Sequence, residues 1–368
     1  MYSLAPGYRL PALQRGLSPA ETLITKLTAG AGGAVLASAL ISPPPVWTLA
    51  GVGAAAALVN LSPGPRSLGR WATVGYRYLR ERTAPESLTT APGATRTWTL
   101  YPAHGTMQDA AYRAAWHDAV NSALVFAGGQ ARTAGIQVHV THHAAVSAYT
   151  EHIQTISVHV PKGIVGQPER VLDTLERELA RLGALTPVDL DPLPQVVRRG
   201  SGWAELETGR CAATARVTKW PAETDGGLMG SLLLGTASDR RKGVPHYATD
   251  RSFAVLYRPL PVHQSRRAAM WQSAAAEAWT TDKVKKDEMA RASGTTHGAL
   301  VDGATLVDLD AYLTVWGDSP EEVTDARWQA DLTAGTHRVV LDWLPGQQHR
   351  AHAMTTPHGV TTRKGAVL

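Results

Sequence analysis

A long stretch without charged residues constrains this chain more than any other feature. None of the 36 residues at 27–62 is Asp, Glu, Lys or Arg, although these types make up 18% of the sequence. Pro43, Pro44 and Pro45 divide the stretch into 27–42 and 46–62. Each part would form a helix of roughly 24–26 Å, against a bilayer core of about 30 Å. Because proline does not continue a helix, the pattern predicts a two-helix transmembrane hairpin that turns at the prolines.

The residues around this stretch predict its orientation. Basic residues flank both outer ends and the turn carries no charge, so the positive-inside rule places both termini in the cytoplasm, at the cell (inner or plasma) membrane. A segment of aromatic and arginine residues at 69–82 suits the headgroup level. The residues predicted to anchor or orient the chain are Lys26, Trp47, Arg66, Arg70, Trp71 and Arg77.

Other interpretations of both segments remain open at this point. The apolar stretch could be an alanine-rich hairpin buried in a water-soluble protein, and 69–82 could be an ordinary solvated helix. A cleaved signal peptide fits less well, because the apolar region begins late and a second apolar part follows.

The charge distribution points to lipid rather than nucleic acid as the anionic partner. The formal net charge is +5, but residues 1–82 hold eight basic and two acidic residues, so this part alone is +6 and the remainder is −1. The bulk of the chain therefore gives no support for direct nucleic-acid binding. Since Cys211 is the single cysteine, an intrachain disulfide is excluded.

The rest of the sequence predicts an α+β protein built as α/β sandwiches of ferredoxin-like units. Residues 96–207 show the order β-α-β-β-α-β, with the last strand placed at 201–207, and a second strand–helix series follows. The predicted organisation is a cytoplasmic segment (1–26), the hairpin (27–62), a basic juxtamembrane segment and linker (63–95), a first unit (96–209), a second unit (210–360) and a tail (361–368).

Motifs for common chemistry do not occur in this sequence. We find no Walker A motif, no G-x-G-x-x-G after a strand, no G-x-S-x-G and no H-E-x-x-H. A histidine cluster at His139, His142, His143, His152 and His159 could suggest a metal site, but the alternating pattern favours exposed histidines on strands. Cys211 fits a small buried residue better than a nucleophile. We therefore predict a protein that is not an enzyme and has no catalytic, cofactor or metal site.

The second series resembles a known family in order and spacing. The matching segments are 217–221 (VTKWP), 227–234 (GLMGSLLL), 251–260 (RSFAVLYRPL), 305–316, 319–323 (SPEEV) and 344–348 (LPGQQ). Together they resemble the amino-terminal part of VirB/TraC-type transfer ATPases of actinobacterial conjugation. The hairpin resembles the PrgI-like module that precedes such domains. Near the end, 352–354 (HAM) and 356–359 (TPHG) depart from the family pattern.

The resemblance implies a function that the residues alone do not. It implies an oligomeric, membrane-anchored docking subunit of a conjugative, type IV-like DNA-transfer or secretion apparatus. A separate ATPase and other channel subunits would be its partners, and no family catalytic residue is carried over. The alternatives are a type VII secretion component resembling EccE, which also pairs two amino-terminal spans with a cytoplasmic α/β domain, and an enzyme with dispersed active-site residues.

Overall fold

The computed structural model divides the chain into two compact units. One contains residues 1–8, 87–344 and 348–361, and the other contains 9–86, 345–347 and 362–368. The described residues are 2–3, 47–48, 50–51, 53–54, 68–81, 92–102, 110–130, 135–146, 150–221, 223–224, 228–234, 249–267, 269–270, 294, 298, 300–301 and 303–358. Most of the predicted hairpin lies outside them. Its described residues, 47–48, 50–51 and 53–54, are helical.

The unit that contains residues 9–86 includes helix α1 (Leu68–Glu81). In the other unit, which contains residues 87–344, the short strand β1 (Tyr2–Ser3) pairs with β9 (Glu223–Thr224). The remaining strands of that unit form one ten-stranded sheet in which every pairing is antiparallel.

The first half of this sheet follows the order β-α-β-β-α-β along the chain. Its elements are β2 (Gly93–Pro102), α2 (Ala110–Gln130), β3 (Gln137–Val146), β4 (Thr150–Pro161), α3 (Pro168–Leu179), a 3₁₀ turn (Ala180–Leu182) and β5 (Gly183–Pro187). In space the strands lie in the order β5-β2-β4-β3. Numbered along the chain, that order is 4-1-3-2, the arrangement of a split βαβ unit.

The fourth strand of this half is not the one predicted. The sequence predicts this strand at 201–207, but β5 follows the 3₁₀ turn directly and pairs with β2. It begins at Gly183, whose φ of 156° is rarely adopted by residues with a side chain. The stretch at 201–207 instead contributes β7 (Ala204–Leu206), which pairs with β6 (Val196–Arg199) and with the start of β8 (Cys211–Lys219) at the far end of the sheet.

The second half repeats the strand order of the first. Its elements are β8 (Cys211–Lys219), α4 (Leu228–Leu234), β10 (Arg251–Pro259), β11 (Val307–Gly317), α5 (Pro320–Thr336) and β12 (Val340–Asp342). Spatially the order is β12-β8-β11-β10, again 4-1-3-2 along the chain. The halves join where β3 pairs with β10, so the second strand of each half lies at the centre. The two predicted units thus share one sheet.

Helices cover one face of the sheet. Residues of α2 and α3 pack with Trp98, Val138 and Ile156 in one core cluster, and residues of α4 and α5 pack with Phe253 and Leu313 in the other. Because side chains alternate along a strand, the intervening residues point to the opposite face, which we call the second face. There the sequence supplies mainly Thr, Ser and His.

Local signals explain how two of these helices end and begin. Helix α2 continues through Gly128 and Gly129, where the sequence predicts its end, and stops at Gln130. Helix α5 begins as its capping pattern predicts, because the Ser319 side chain accepts a hydrogen bond from the Glu322 N–H at 3.2 Å. The Glu322 carboxylate accepts one from the Asp318 N–H at 2.8 Å.

Candidate functional site

Helix α1 is the described element that lies nearest in sequence to the apolar stretch, and it exposes apolar side chains. Leu68, Ala72, Tyr76 and Leu79 are all exposed, with Tyr76 and Leu79 each at 66%. Their spacing of i, i+4, i+8 and i+11 places them on one face of the helix. Val74, by contrast, is buried. A helix that shows water an apolar face and contains several arginines has the composition of an interfacial helix.

The structure locates only some of the predicted anchoring residues. Trp47 is helical and 74% exposed, and Trp71 is half-buried on α1. Arg70 and Arg77 lie in α1 about two helical turns apart. Lys26 and Arg66 are outside the described residues. Within the described part of the chain, no helix is both long and apolar enough to cross a membrane.

A C-terminal segment covers the second face of the sheet. It consists of helix α6 (Gln348–Ala351), a 3₁₀ turn (His352–Thr355) and residues 356–358. The Thr97 and Ser157 hydroxyls both donate to the Pro357 carbonyl, and the His139 Nε2–H donates to the Met354 carbonyl at 2.9 Å. The segment thereby bridges both halves, because Gln348 bonds to β8 and Pro357 bonds to β2 and β4.

A second crossing chain reinforces this cover. The connection from β5 to β6 spans 188–195, and the Val188 N–H donates to the Thr97 carbonyl at 3.0 Å. The His358 Nε2–H donates to the Asp191 carbonyl at 2.7 Å. At the other end, the Arg199 guanidinium donates to His349 Nδ1 at 3.2 Å. The connection and the C-terminal segment are therefore held to each other as well as to the sheet.

The prediction that the histidines are exposed is wrong for His139, His142 and His159 and is confirmed for His152. His139, His142 and His159 are buried, His143 is half-buried, and His152 is exposed. His139 and His159 lie on the second face under or beside the crossing chains. His142 lies on the helix-covered face, opposite Phe253 in the pairing of β3 with β10. Sequence alternation correctly assigns His139 and His143 to one side of β3, but it cannot show what covers that side.

Burial keeps these imidazoles neutral. Burial lowers the pKa of His139 to about 4. The hydrogen bond to the Met354 carbonyl raises this pKa, but by less than burial lowers it. Burial, assisted by the neighbouring His152, lowers the pKa of His142 to about 3. The His142 Nδ1 and His152 Nε2 atoms lie 3.1 Å apart in rings whose planes differ by 3° and whose centroids are 5.3 Å apart. In such nearly parallel rings, a nitrogen pair at this distance fits one N–H···N hydrogen bond.

The arrangement offers little to a metal ion or to nucleophilic chemistry. Among the residues that the structure describes, no group of three or more His, Cys, Asp or Glu side chains could hold a metal ion. Cys211 is buried, as its sequence context predicts, and burial raises the pKa of its thiol. A raised pKa disfavours the thiolate, which is the reactive form.

One charge cluster, in which Arg258 is buried and Asp310 and Arg216 are half-buried, joins the sheet strands. Asp310 of β11 forms ion pairs with Arg216 of β8 and with Arg258 of β10, the latter at 2.6 Å. Burial alone would raise the pKa of Asp310, but the two guanidinium charges outweigh burial and lower it. The carboxylate is thus paired with cations from both neighbouring strands. We assign it a structural role in fixing the order of β8, β11 and β10.

Sequence reasoning missed two features of the molecular surface. Leu68 and Leu79 complete the exposed face of α1, and the helical spacing of Leu68, Tyr76 and Leu79 was the signal that could have identified it. Trp328 and Leu332 of α5 are 60% and 53% exposed. Their spacing of four residues is visible in the sequence and places them on one side of the helix. This spacing does not show whether such a pair is exposed or packs in the core.

No protein-family model matches the chain, and no curated protein matches its sequence.

Proposed function

We propose that this protein is a membrane-anchored docking subunit of a conjugative, type IV-like DNA-transfer or secretion apparatus, and that it recruits a separate ATPase. The hairpin at 27–62 anchors it in the cell membrane with both termini in the cytoplasm. The sheet unit forms the cytoplasmic platform. The proposal rests on the uncharged stretch, on helix α1 and on the family resemblance of the second half.

The exposed apolar face of α1 carries the membrane part of the proposal. Tyr76 and Leu79 are two-thirds exposed on a helix with three arginines and one glutamate, Arg70, Arg77, Arg80 and Glu81. Burying one large apolar side chain is worth about 1.5–3 kcal/mol. Anionic headgroups add roughly 1 kcal/mol for each nearby cation. Such a helix is therefore suited to lie in the interface next to a transmembrane anchor.

The docking part of the proposal rests on the sequence motifs. No Walker A motif occurs in these 368 residues, and we propose that a separate chain hydrolyses the nucleotide. The segments that resemble transfer ATPases include strands β8, β10 and β11 and the start of α5, which belong to the second half of the sheet.

Cell fractionation tests the anchor. We expect the protein to sediment with membranes, to stay there in high salt and to be released by detergent, because buried apolar segments are insensitive to ionic screening. Release by salt alone would contradict the hairpin.

Two substitutions test the contribution of α1. In a variant lacking 27–62, we expect residual binding to anionic vesicles, and the double substitution Tyr76→Asp, Leu79→Asp should weaken it by roughly 10-fold or more. Tyr101→Asp, at an exposed tyrosine of β2, serves as the control and should leave binding unchanged. Equal vesicle binding by all these variants would show that the face of α1 does not contact lipid.

Affinity purification tests recruitment. The full-length protein, solubilised in detergent and purified through an affinity tag, should bring down an ATPase that carries its own Walker A motif. ATP hydrolysis by the purified chain itself, abolished by a substitution in this chain, would contradict the proposal.

A further inference from the structure

The outward face of α5 carries a stripe of two kinds of side chain. Glu321, Asp325, Trp328 and Leu332 are all exposed. Their spacing of i, i+4, i+7 and i+11 aligns them along one side of the helix. The stripe is acidic in its first half and apolar in its second. We call these four residues the α5 stripe.

The core does not need the apolar half of the α5 stripe. The inward side of the helix is already filled by Val323, Ala326, Ala330, Thr333 and Ala334, which are all buried. Trp328 and Leu332 nevertheless leave more than half of their surfaces in water. Tryptophan is the residue type most enriched among the residues that dominate binding energy at protein interfaces. An exposed Trp–Leu pair of this kind is suited to anchor a partner.

The acidic half has no compensating charge among the described residues. Glu321 and Asp325 take part in none of the ion pairs between described side chains. The basic residue of α5, Arg327, faces inward: its guanidinium donates to the Gly202 carbonyl at 3.3 Å and lies 4.9 Å from the ring centroid of Trp343. The carboxylates of Glu321 and Asp325 are therefore exposed on α5 without an ion pair to a described cation.

From this pattern we propose that the α5 stripe binds a basic amphipathic helix of a partner protein. The straight run of four positions matches the side of another helix, the Trp328–Leu332 pair matches its apolar face, and the two carboxylates match its lysines or arginines. An anionic membrane surface would be repelled by Glu321 and Asp325. This inference concerns the sheet unit and does not depend on membrane anchoring.

A local fluorescent reporter tests the proposal on the full chain. Because Cys211 is the single cysteine and is buried, Thr324→Cys on exposed α5 can be labelled selectively with an environment-sensitive fluorophore. The labelled full chain is kept in one non-ionic detergent throughout and titrated with a designed helical peptide of leucine and lysine. A peptide of the same pattern with glutamate in place of lysine is the matched control. A label at Arg177→Cys, an exposed position of α3, reports binding elsewhere.

We expect a saturable response at the α5 label with a Kd on the order of micromolar, and none at the α3 label. Trp328→Ala or Leu332→Ala should weaken binding about 10-fold or more, as should Glu321→Lys combined with Asp325→Lys. These positions are exposed, so the variants should unfold at the wild-type temperature.

Four results would overturn the proposal. They are no response to the lysine peptide, equal affinity for the glutamate peptide, unchanged affinity in the Trp328→Ala variant, and a response of the α5 label to anionic lipid in the same detergent that matches its response to the peptide.

Discussion

At the scale of single residues, Gln348 shows how one side chain completes a sheet. The outer edge of β8 pairs with β7 at Ala212 and with β12 from Arg216 onward, which leaves Thr214 between them. The Gln348 amide fills this gap: its Oε1 accepts from the Thr214 N–H at 2.7 Å, and its Nε2 donates to the Thr214 carbonyl at 3.0 Å. A side chain here substitutes for a strand.

Removing this amide should destabilise the sheet unit markedly. Gln348→Ala leaves two buried backbone groups without partners, each costing about 1–3 kcal/mol, so the free energy of unfolding should fall by about 2–6 kcal/mol. Denaturant unfolding followed by circular dichroism measures the change. Gln130→Ala, at an exposed glutamine of α2, is the control. A change below about 0.5 kcal/mol for Gln348→Ala would contradict the assigned role.

At the scale of elements, the start of α5 depends on one hydroxyl. Ser319→Ala removes the acceptor for the Glu322 N–H and should lower the free energy of unfolding by about 1 kcal/mol. Ser201→Ala, an exposed serine outside helices and strands, should change it little. If both variants unfold at the same denaturant concentration, the cap contributes nothing measurable.

Elements with strong local signals are the ones that the sequence predicts well. The sequence predicts strands at 211–220 and 251–258 and a helix at 168–182. The structure has strands at Cys211–Lys219 and Arg251–Pro259, and a helix at Pro168–Leu179 that is followed by the 3₁₀ turn Ala180–Leu182. Strand β5 was missed because its five residues, GALTP, lack clear alternation and follow a helix without a loop. Local pattern could not have shown this pairing, because β5 becomes a strand only through its long-range contact with β2.

The site residues divide in the same way. Trp47 is exposed, and its role as an anchor stays a prediction. The burial of His139 could not be foreseen, because it results from Met354, which lies 215 residues away in sequence. Sequence alternation shows which residues share a face, and only the fold shows what covers that face.

At the scale of the whole molecule, the neutral histidines link stability to pH. Burial is the largest cause lowering the pKa of His139, His142, His143, His152, His159 and His352. The unfolded chain binds protons at these sites near pH 6.5, whereas folded His139 does so only near pH 4. Between these values the unfolded state holds more protons. The contribution of the neutral histidines to the free energy of unfolding is therefore fully present above pH 6.5 and is lost as the pH is lowered.

The free energy of unfolding should therefore decline between pH 6.5 and 4, by about 1.4 kcal/mol for each unit by which a pKa is lowered. Denaturant titrations at several pH values measure this slope. A His139→Gln variant should show a shallower decline than the wild type. A flat profile over this range would contradict the burial of neutral imidazoles.

The C-terminal segment has a consequence for synthesis of the protein. Thr97, on one of the first strands to be translated, donates to a carbonyl 260 residues later. The ribosome must therefore synthesise almost the entire sheet unit before the C-terminal segment can cover its second face. Until then the second face of the nascent chain exposes polar side chains that lack their partners in the C-terminal segment. We expect chaperones to bind the chain during that time.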